Sequence, residues 1–257
     1  MSQDLASVAE ARALIAAAKR IVVLTGAGIS TESGIPDYRG PQGVWTKNPA
    51  AEKLATLQNY VSDPEVRKLA WQRRLHSETW KAEPNAGHRA LVELERQGKL
   101  HLLITQNIDG LHQRAGSSPE RIVEIHGTIH EVVCLQCDER APMERALERV
   151  RAGEVDPPCR SCGGMLKSAT ISFGQSLVQE DLVRSDRAAR SCDLLLAIGS
   201  TLAVYPIAAV VPLAVRSGAK LVIVNGDRTE MDELADVVVN ARIGEVLPAL
   251  VTGAAVN

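Results

Sequence analysis

Apolar residues fall along this chain in short continuous runs rather than in strict alternation. Ile21–Thr25, Leu102–Thr105, Leu194–Ile198, Leu221–Val224 and Val237–Val239 are the clearest. A run of that length with no polar face reads as a strand covered on both sides, the pattern of parallel sheets. Stretches with helical periodicity lie between them. Ala86–Gln97 is one, with Asn85 placed to cap its start and Gly98 just past its end. Ile207–Ser217, before Gly218, is another. Strand and helix in repeated succession predict an α/β fold with a doubly wound parallel Rossmann-like sheet. Two regions break the rhythm: residues 41–85 show no strand pattern, and residues 129–170 hold four paired cysteines. The expected division is a sheet domain from residues 1–40, 86–128 and 171–257, a helical insertion at 41–85 and a second insertion at 129–170. The two insertions would form a smaller domain over the sheet.

Composition narrows the partners more than the fold. The chain has 257 residues, 45% apolar and 23% charged, with a formal net charge of −2. That excludes a disordered chain and gives no electrostatic case for nucleic acid or an anionic membrane. No apolar run approaches the ~18 residues needed to cross a bilayer. The N-terminus carries Asp4 and Glu10 and reads as an amphipathic helix, so a cytoplasmic protein is expected. Oligomeric state is not legible. Aromatics make up only 3%, which leaves the core to aliphatic residues and makes Phe173, the sole Phe, worth locating.

Candidate chemistry clusters at strand ends. Gly26-Ala-Gly-Ile-Ser-Thr-Glu-Ser-Gly34 follows the first strand, where small residues let backbone approach a phosphate. It lacks the third Gly of the common dinucleotide fingerprint and the Lys of a P-loop, so a plain tight turn stays open as a reading. Ile35-Pro-Asp-Tyr-Arg-Gly40 then reads as an ordered loop. Its Arg39 suits a phosphate, or a surface ion pair, and its Tyr38 can cover a ring. Thr105-Gln-Asn-Ile-Asp109, Gly199-Ser-Thr201 and Asn225-Gly-Asp227 are three more polar strand ends. Ligands of parallel sheets sit beyond the carboxyl ends of strands, so four such ends suggest one shared crevice. His126 follows Ile122–Ile125 on that side, as a general base or as a structural His.

Cys134-Leu-Gln-Cys137 and Cys159-Arg-Ser-Cys162 are 21 residues apart. Two such pairs read as a tetrahedral zinc ribbon, with a redox dithiol or an iron–sulfur site as the alternatives. Four thiolates close the shell, so a zinc ion there is structural. Cys192 reads as a core residue.

Assembled in this order, the motifs resemble the sirtuin family of NAD-dependent protein deacylases. The matching residues are Gly26–Ser30, Ser33–Arg39, Gln106–Asp109, His126-Gly127, both Cys pairs, Phe173-Gly174, Gly199-Ser200 and Asn225, spread over residues 20–250. The resemblance implies a lysine deacetylase or deacylase that consumes NAD, releases nicotinamide and transfers the acyl group to ADP-ribose. It implies His126 as the base, with Asn107 and Asp109 organising the nicotinamide and ribose pocket. Tyr38 would cover the base, while Ser30, Arg39, Gly199, Ser200 and Thr201 handle phosphates and ribose. Asn225, Gly226, Asp227 and Ile243 would surround the adenosine. Gly26, Ala27, Gly28, Ile35, Asp37, Trp45, Gln106 and Ile108 complete the implied NAD contacts. An acyl-lysine protein or peptide would add as a strand near Ile171, Phe173 and Gly174.

The chain also departs from the family pattern. Tyr38 stands where Phe is most common; Ser168-Ala169 and Gln175 replace the frequent Pro-Asp and Glu. The Tyr-x-x-Arg pair of desuccinylating members is missing, which favours acetyl or longer neutral acyl groups over dicarboxylates. Competing readings are a protein mono-ADP-ribosyltransferase, a non-catalytic nucleotide-binding scaffold and, more weakly, a dehydrogenase.

Overall fold

The computed structural model describes residues 2–38, 40, 43–48 and 55–253, apart from the side chains of residues 2–4 and Trp45. Nine strands form two sheets among these residues. In the large sheet the order is β3 (Ile122–Glu124), β2 (Leu100–Thr105), β1 (Ile21–Thr25), β7 (Leu194–Ile198), β8 (Lys220–Asn225), β9 (Val237–Asn240). Every pairing is parallel. The order reverses direction at β1 and β7, and the doubly wound fold predicted from the apolar runs is the one observed.

Alternate residues of these strands feed two apolar layers. Ile21, Val23, Leu103, Leu196, Val222 and Val224 point to one side, against helices Ser2–Ala17, Ala86–Arg96 and Ile243–Thr252. Val22, Leu24, Leu102, Ile104, Leu195 and Ile223 point to the other, against Gln179–Ser191 and Val210–Arg216. Asn85 caps Ala86–Arg96 as predicted, its side chain accepting from the Gly87 N–H at 2.9 Å. The Ile207–Ser217 stretch opens with a 3-10 turn at Ile207–Ala209 before the α-helix Val210–Arg216.

The small sheet is antiparallel, in the order β5 (Arg140–Pro142), β4 (Gly127–Cys134), β6 (Leu166–Thr170). Helices Pro64–Leu75 and Met143–Arg151 cover it. Trp71, fully buried, packs with Val132, Leu147, Cys134 and Leu166, and Tyr60 donates its hydroxyl to the Leu166 carbonyl at 2.6 Å. The helical stretch and the cysteine region therefore share one core. Cys192 is buried, in the large sheet's second layer. No helix among the described residues is long and apolar enough to cross a membrane.

Candidate active site and metal centre

The loops after β1 and β7 are locked together. Gly26 N–H donates to the Ile198 carbonyl at 3.0 Å and Gly28 N–H to that of Gly199 at 2.8 Å. A Cβ on Gly28 would lie 2.7 Å from Gly199 Cα, and one on Gly199 (φ +62°) would lie 2.4 Å from the Ile29 nitrogen. The glycines thus serve loop-on-loop packing, a reason the sequence argument, framed around a phosphate, did not contain. Ala27–Ser33 is a 3-10 helix and carries Ser30 inward, fully buried.

Ser30 meets the end of β2. Its hydroxyl donates to Asp109 Oδ2 at 2.7 Å and accepts from Asn107 Nδ2 at 3.1 Å. Asn107 Nδ2 also reaches the Gly26 carbonyl at 3.1 Å, and Asp109 Oδ1 accepts from Leu111 N–H at 2.9 Å. Gln106 Nε2 donates to Ser200 Oγ at 2.9 Å, tying the β2 end to the β7 end. Ile108 passes its carbonyl to the Ile129 N–H at 3.0 Å. Three of the four predicted polar strand ends are therefore joined directly.

His126 stands just beyond β3, half-buried. Its Nδ1 lies 3.0 Å from the Gln106 carbonyl, an obligate acceptor, so the neutral ring holds its proton there and Nε2 is the basic nitrogen. Its own carbonyl accepts from the Ile171 N–H at 2.7 Å. That bond leads to Phe173, whose N–H donates to Ala55 and whose carbonyl accepts from Leu57. Phe173 is 38% exposed and, with Gly174, Thr56 and Val61, lines a cleft of about 490 Å³. The hydrogen-bonding groups of Phe173 are already paired, so an added strand must use its neighbours.

The remaining predicted residues scatter around this centre. Tyr38 is 39% exposed, yet its phenol is crowded enough that burial, and then nearby Asp109, hold its pKa above the usual value. Asp37 accepts from the Gly40 N–H at 2.8 Å, folding the loop that contains Tyr38; Ile35 N–H donates to the Ser30 carbonyl. At the β8 end Asn225 Nδ2 donates to the Asp227 carbonyl at 2.8 Å, with Gly226 exposed between them. Thr201 is half-buried and its carbonyl accepts from the Glu230 N–H. Ile243 is 5% exposed and packs in the first apolar layer. Arg39 and the Trp45 side chain lie outside the described residues.

His130 escaped the sequence reading. It donates from Nε2 to the Asp109 carbonyl at 2.8 Å and meets Trp80 edge-on at 5.6 Å. Its ring fills the space a Cβ on Gly110 would need. The signal was present: His126, Thr128 and His130 recur at the two-residue period of a strand face.

The four paired cysteines converge. Their sulfurs all lie within 4.8 Å of one another, with Cys134–Cys162 at 3.5 Å and Cys137–Cys159 at 3.8 Å. Zinc–sulfur bonds of about 2.3 Å in a tetrahedron put sulfurs about 3.8 Å apart, so the quartet fits zinc. Burial raises the Cys134 thiol, but N–H bonds from Gln136 and Cys137 outweigh it and bring the pKa to about 7. Cys137, despite one backbone bond, is pushed up to about 12 by its neighbouring thiols. The opposite shifts of Cys134 and Cys137 reflect mutual repulsion between neighbouring thiolates, which a cation bound among them would relieve.

These features fit a nucleotide-handling α/β enzyme class: polar groups gathered at the strand ends, a half-buried histidine beside them and a small sheet with four cysteines placed to hold a metal. The comparisons with known proteins agree. The Sir2 family profile matches residues 26–206, and the chain belongs to the Sir2 family. It is 48% identical over 233 residues to NAD-dependent protein deacetylase 2 of Streptomyces coelicolor, covering 91% of this chain and 97% of that one. It is 40% identical over 244 residues to NAD-dependent protein deacylase 2 of Archaeoglobus fulgidus, 94% of each. A solved structure described as the structural basis for the mechanism and regulation of Sir2 enzymes superposes with a TM-score of 0.87 at 40% identity, over 96% of this chain and 97% of that one. A Sir2 complex with a p53 peptide and NAD+ gives 0.84 at 33% identity, over 95% and 97%.

Proposed function

We propose that this chain is an NAD-dependent protein-lysine deacetylase or deacylase that passes the acyl group to ADP-ribose as nicotinamide leaves. One observation carries the reading. A single residue, His126, is hydrogen-bonded through its ring to the β2 strand end and through its backbone to the segment beside the Phe173 cleft. A base so placed touches a nucleotide on one side and a peptide on the other. The relatives named above support both ligands, and Sir2 complexes with acetylated and propionylated peptides support acyl-lysine as the substrate class.

Bound NAD supplies an electrophilic ribose carbon and a leaving nicotinamide. His126 Nε2 accepts the proton of a ribose hydroxyl, and the Gln106 carbonyl holds the ring in the tautomer that leaves this nitrogen basic. Asp109 and Asn107, locked by Ser30, orient the nicotinamide end. Gly199, Ser200 and Thr201 receive the phosphates and ribose, and Asn225–Asp227 the adenosine. Cys134, Cys137, Cys159 and Cys162 would hold a zinc ion, and four thiolate ligands would make its role structural. The sheet domain of residues 1–40, 86–128 and 171–257 and the two insertions, as divided above, belong to the same reading, as does a cytoplasmic site of action.

Mass spectrometry of one reaction tests it: purified protein, NAD and an acetyl- and propionyl-lysine peptide set, beside His126→Ala. Matched amounts of free lysine peptide and O-acyl-ADP-ribose, absent with the variant, are expected. ADP-ribosylated protein without peptide turnover, or NADH, would sink the proposal.

A further inference from the structure

Strand β2 carries an extra residue near its start. Ile21 pairs with Leu100 and Val22 with Leu102, so His101 has no partner on β1. The two leucines accordingly fall in opposite apolar layers, which strict alternation forbids. A β-bulge of this kind re-aims a side chain. Here the His101 ring is turned to the end of helix Gln179–Ser191, with Nε2 3.5 Å from Ser191 Oγ. The candidate active site follows the other end of β2, at Gln106, ~16 Å away along a strand.

Arginines from three places close around this ring. Arg20, before β1, donates from Nη1 to the Ser191 carbonyl at 3.4 Å. Arg121, before β3, donates from Nη1 to the Leu100 carbonyl at 2.5 Å. Arg184, on the helix, donates to the Ile122 carbonyl at 3.1 Å and to that of Glu120. A guanidinium has five N–H groups, so each keeps several free while the main chain fixes its place. Arg187 stands exposed one turn after Arg184. Carboxylates do little to neutralise these cations. Arg121 meets Glu95 only at 3.9 Å, and Glu95 already accepts from Ser118. Asp186 is paired with Arg190, and Asp193 accepts from the backbone of Lys19 and Arg20. Asp181 lies near Arg184, yet burial outweighs that cation and holds its carboxyl above the usual range. Among the described residues Arg20, Arg184 and Arg187 have no ion-pair partner.

A cavity of about 470 Å³ opens between them, with His101, Arg184 and Arg187 on its polar side and Leu102 and Val183 on its apolar side. Glu180 is the one carboxylate on its wall. We propose that this cavity is a second ligand site, which takes a phosphate group between His101 and the guanidiniums of Arg184 and Arg187, with Arg20 and Arg121 adding to its positive field. Forked donors arriving from several elements suit an oxyanion with several equivalent oxygens better than one planar carboxylate. The volume lies in the range of small-molecule sites, about 300–1,000 Å³, so the phosphate can be free or carried on a small organic body. The chain's net charge of −2 makes the basic patch a local feature. The site shares no residue with the proposed reaction and stands apart from the functional reading.

NMR titration of the histidine rings of the full chain, at constant ionic strength, tests it. Burial, then Arg20, Arg121 and Arg184, hold the His101 pKa below the ordinary histidine value. A bound dianion offsets those cations. Sulfate, dianionic throughout the range, should therefore raise it by about half a unit or more. The bound chain then takes up the proton more readily, so sulfate should bind more tightly as pH falls through the raised pKa. Arg187→Gln should weaken the constant read at His101 about tenfold. It should leave the His126 signal, the melting temperature and the KM for NAD near the parent values. Phenyl phosphate binding more tightly than inorganic phosphate assigns a phosphomonoester with an apolar body; equal constants assign free phosphate.

A His101 pKa that sulfate leaves unmoved overturns the inference. So does a shift that chloride matches at equal ionic strength, acetate binding as tightly as phosphate, or a constant unchanged in Arg187→Gln.

Discussion

The two sheets are stabilised in opposite ways. The large sheet has apolar layers on both faces, of 24 and 21 buried residues among those described. The small sheet has one cluster of nine, two of them cysteines of the metal site. A core of that size does not hold a fold by itself and calls for a staple. The polar groups follow the same split. The large sheet carries a buried network of Ser30, Asn107, Asp109, His88 and His112 at its strand ends. Its many apolar contacts offset the cost of those groups. The small sheet concentrates its polar investment in four sulfurs. Function and stability are therefore separable in the first region and inseparable in the second.

Removing the metal is the strongest attempt to break this contrast. Cys134→Ala, or chelation, should abolish zinc content and unfold the small sheet, since structural zinc contributes on the order of 10 kcal/mol to such sites. Calorimetry should show the large sheet melting on its own afterwards, and deacylation should cease because Phe173 pairs with residues 55 and 57, next to the helices of the lost core. Unchanged zinc content and one unchanged transition would refute the contrast.

The converse is His126→Ala. A general base contributes about 10²–10⁴ to the rate. The residue is half-buried at a strand end and belongs to neither apolar layer. Turnover should fall by that factor while the melting temperature moves by no more than about 2 °C, under about 1 kcal/mol at this size. A melting shift as large as that of Cys134→Ala would erase the distinction between the regions.

The contrast was half legible in the sequence. Parallel strands announce themselves because both faces are buried, and that local property yields Ile21–Thr25 or Leu194–Ile198 directly. Two C-x2-C pairs announce a metal because ligand geometry demands those short spacings. Long-range facts are different. Nothing local says that Gly28 packs on Gly199, that Trp71 completes the core of Cys134, or that Phe173 pairs with Ala55 and Leu57. His88 carries no local signal in the sequence, because its partners, Ser30 and Asn85, meet it only after two loops close on one helix start. Chemistry carried by residue type was readable, whereas chemistry carried by orientation was not.

Acid sharpens the comparison on the side of the large sheet. His88 is depressed from 6.5 to about 4, and His112 is lowered too, by burial first and then by His88. In the unfolded chain these rings take up protons below pH 6.5, while in the folded chain they resist until far lower. The unfolded state thus binds more protons in that window, and stability is full above pH 6.5 and lost as pH falls towards 4. For His88 alone about 2 kcal/mol is gone at pH 5 and about 3 near pH 4. Urea unfolding at pH 7 and pH 5 should show this loss in the transition of the large sheet, and His88→Gln should reduce it by about 2 kcal/mol. An acid loss that the variant leaves intact would assign it to other groups.

The smallest effect lies where the helices meet the metal loop. Arg67 Nε donates to Asp156 at 2.7 Å, with the two side chains 13% and 24% exposed, so the pair is mostly shielded from water. It ties helix Pro64–Leu75 to the loop before Cys159. Arg67 also donates from Nη1 to the Tyr60 and Val61 carbonyls at 3.2 and 3.1 Å. Removing the carboxylate therefore leaves the guanidinium with two acceptors, and Asp156→Ala should cost only about 1 kcal/mol. Removing the guanidinium strands all three acceptors, so Arg67→Ala should cost about 2–3 kcal/mol. Both losses should fall on the transition of the small sheet alone and leave the NAD constants untouched. If Asp156→Ala cost as much as Arg67→Ala, the ion pair itself would be the tie; if either lowered the large sheet's transition, the two cores would melt as one.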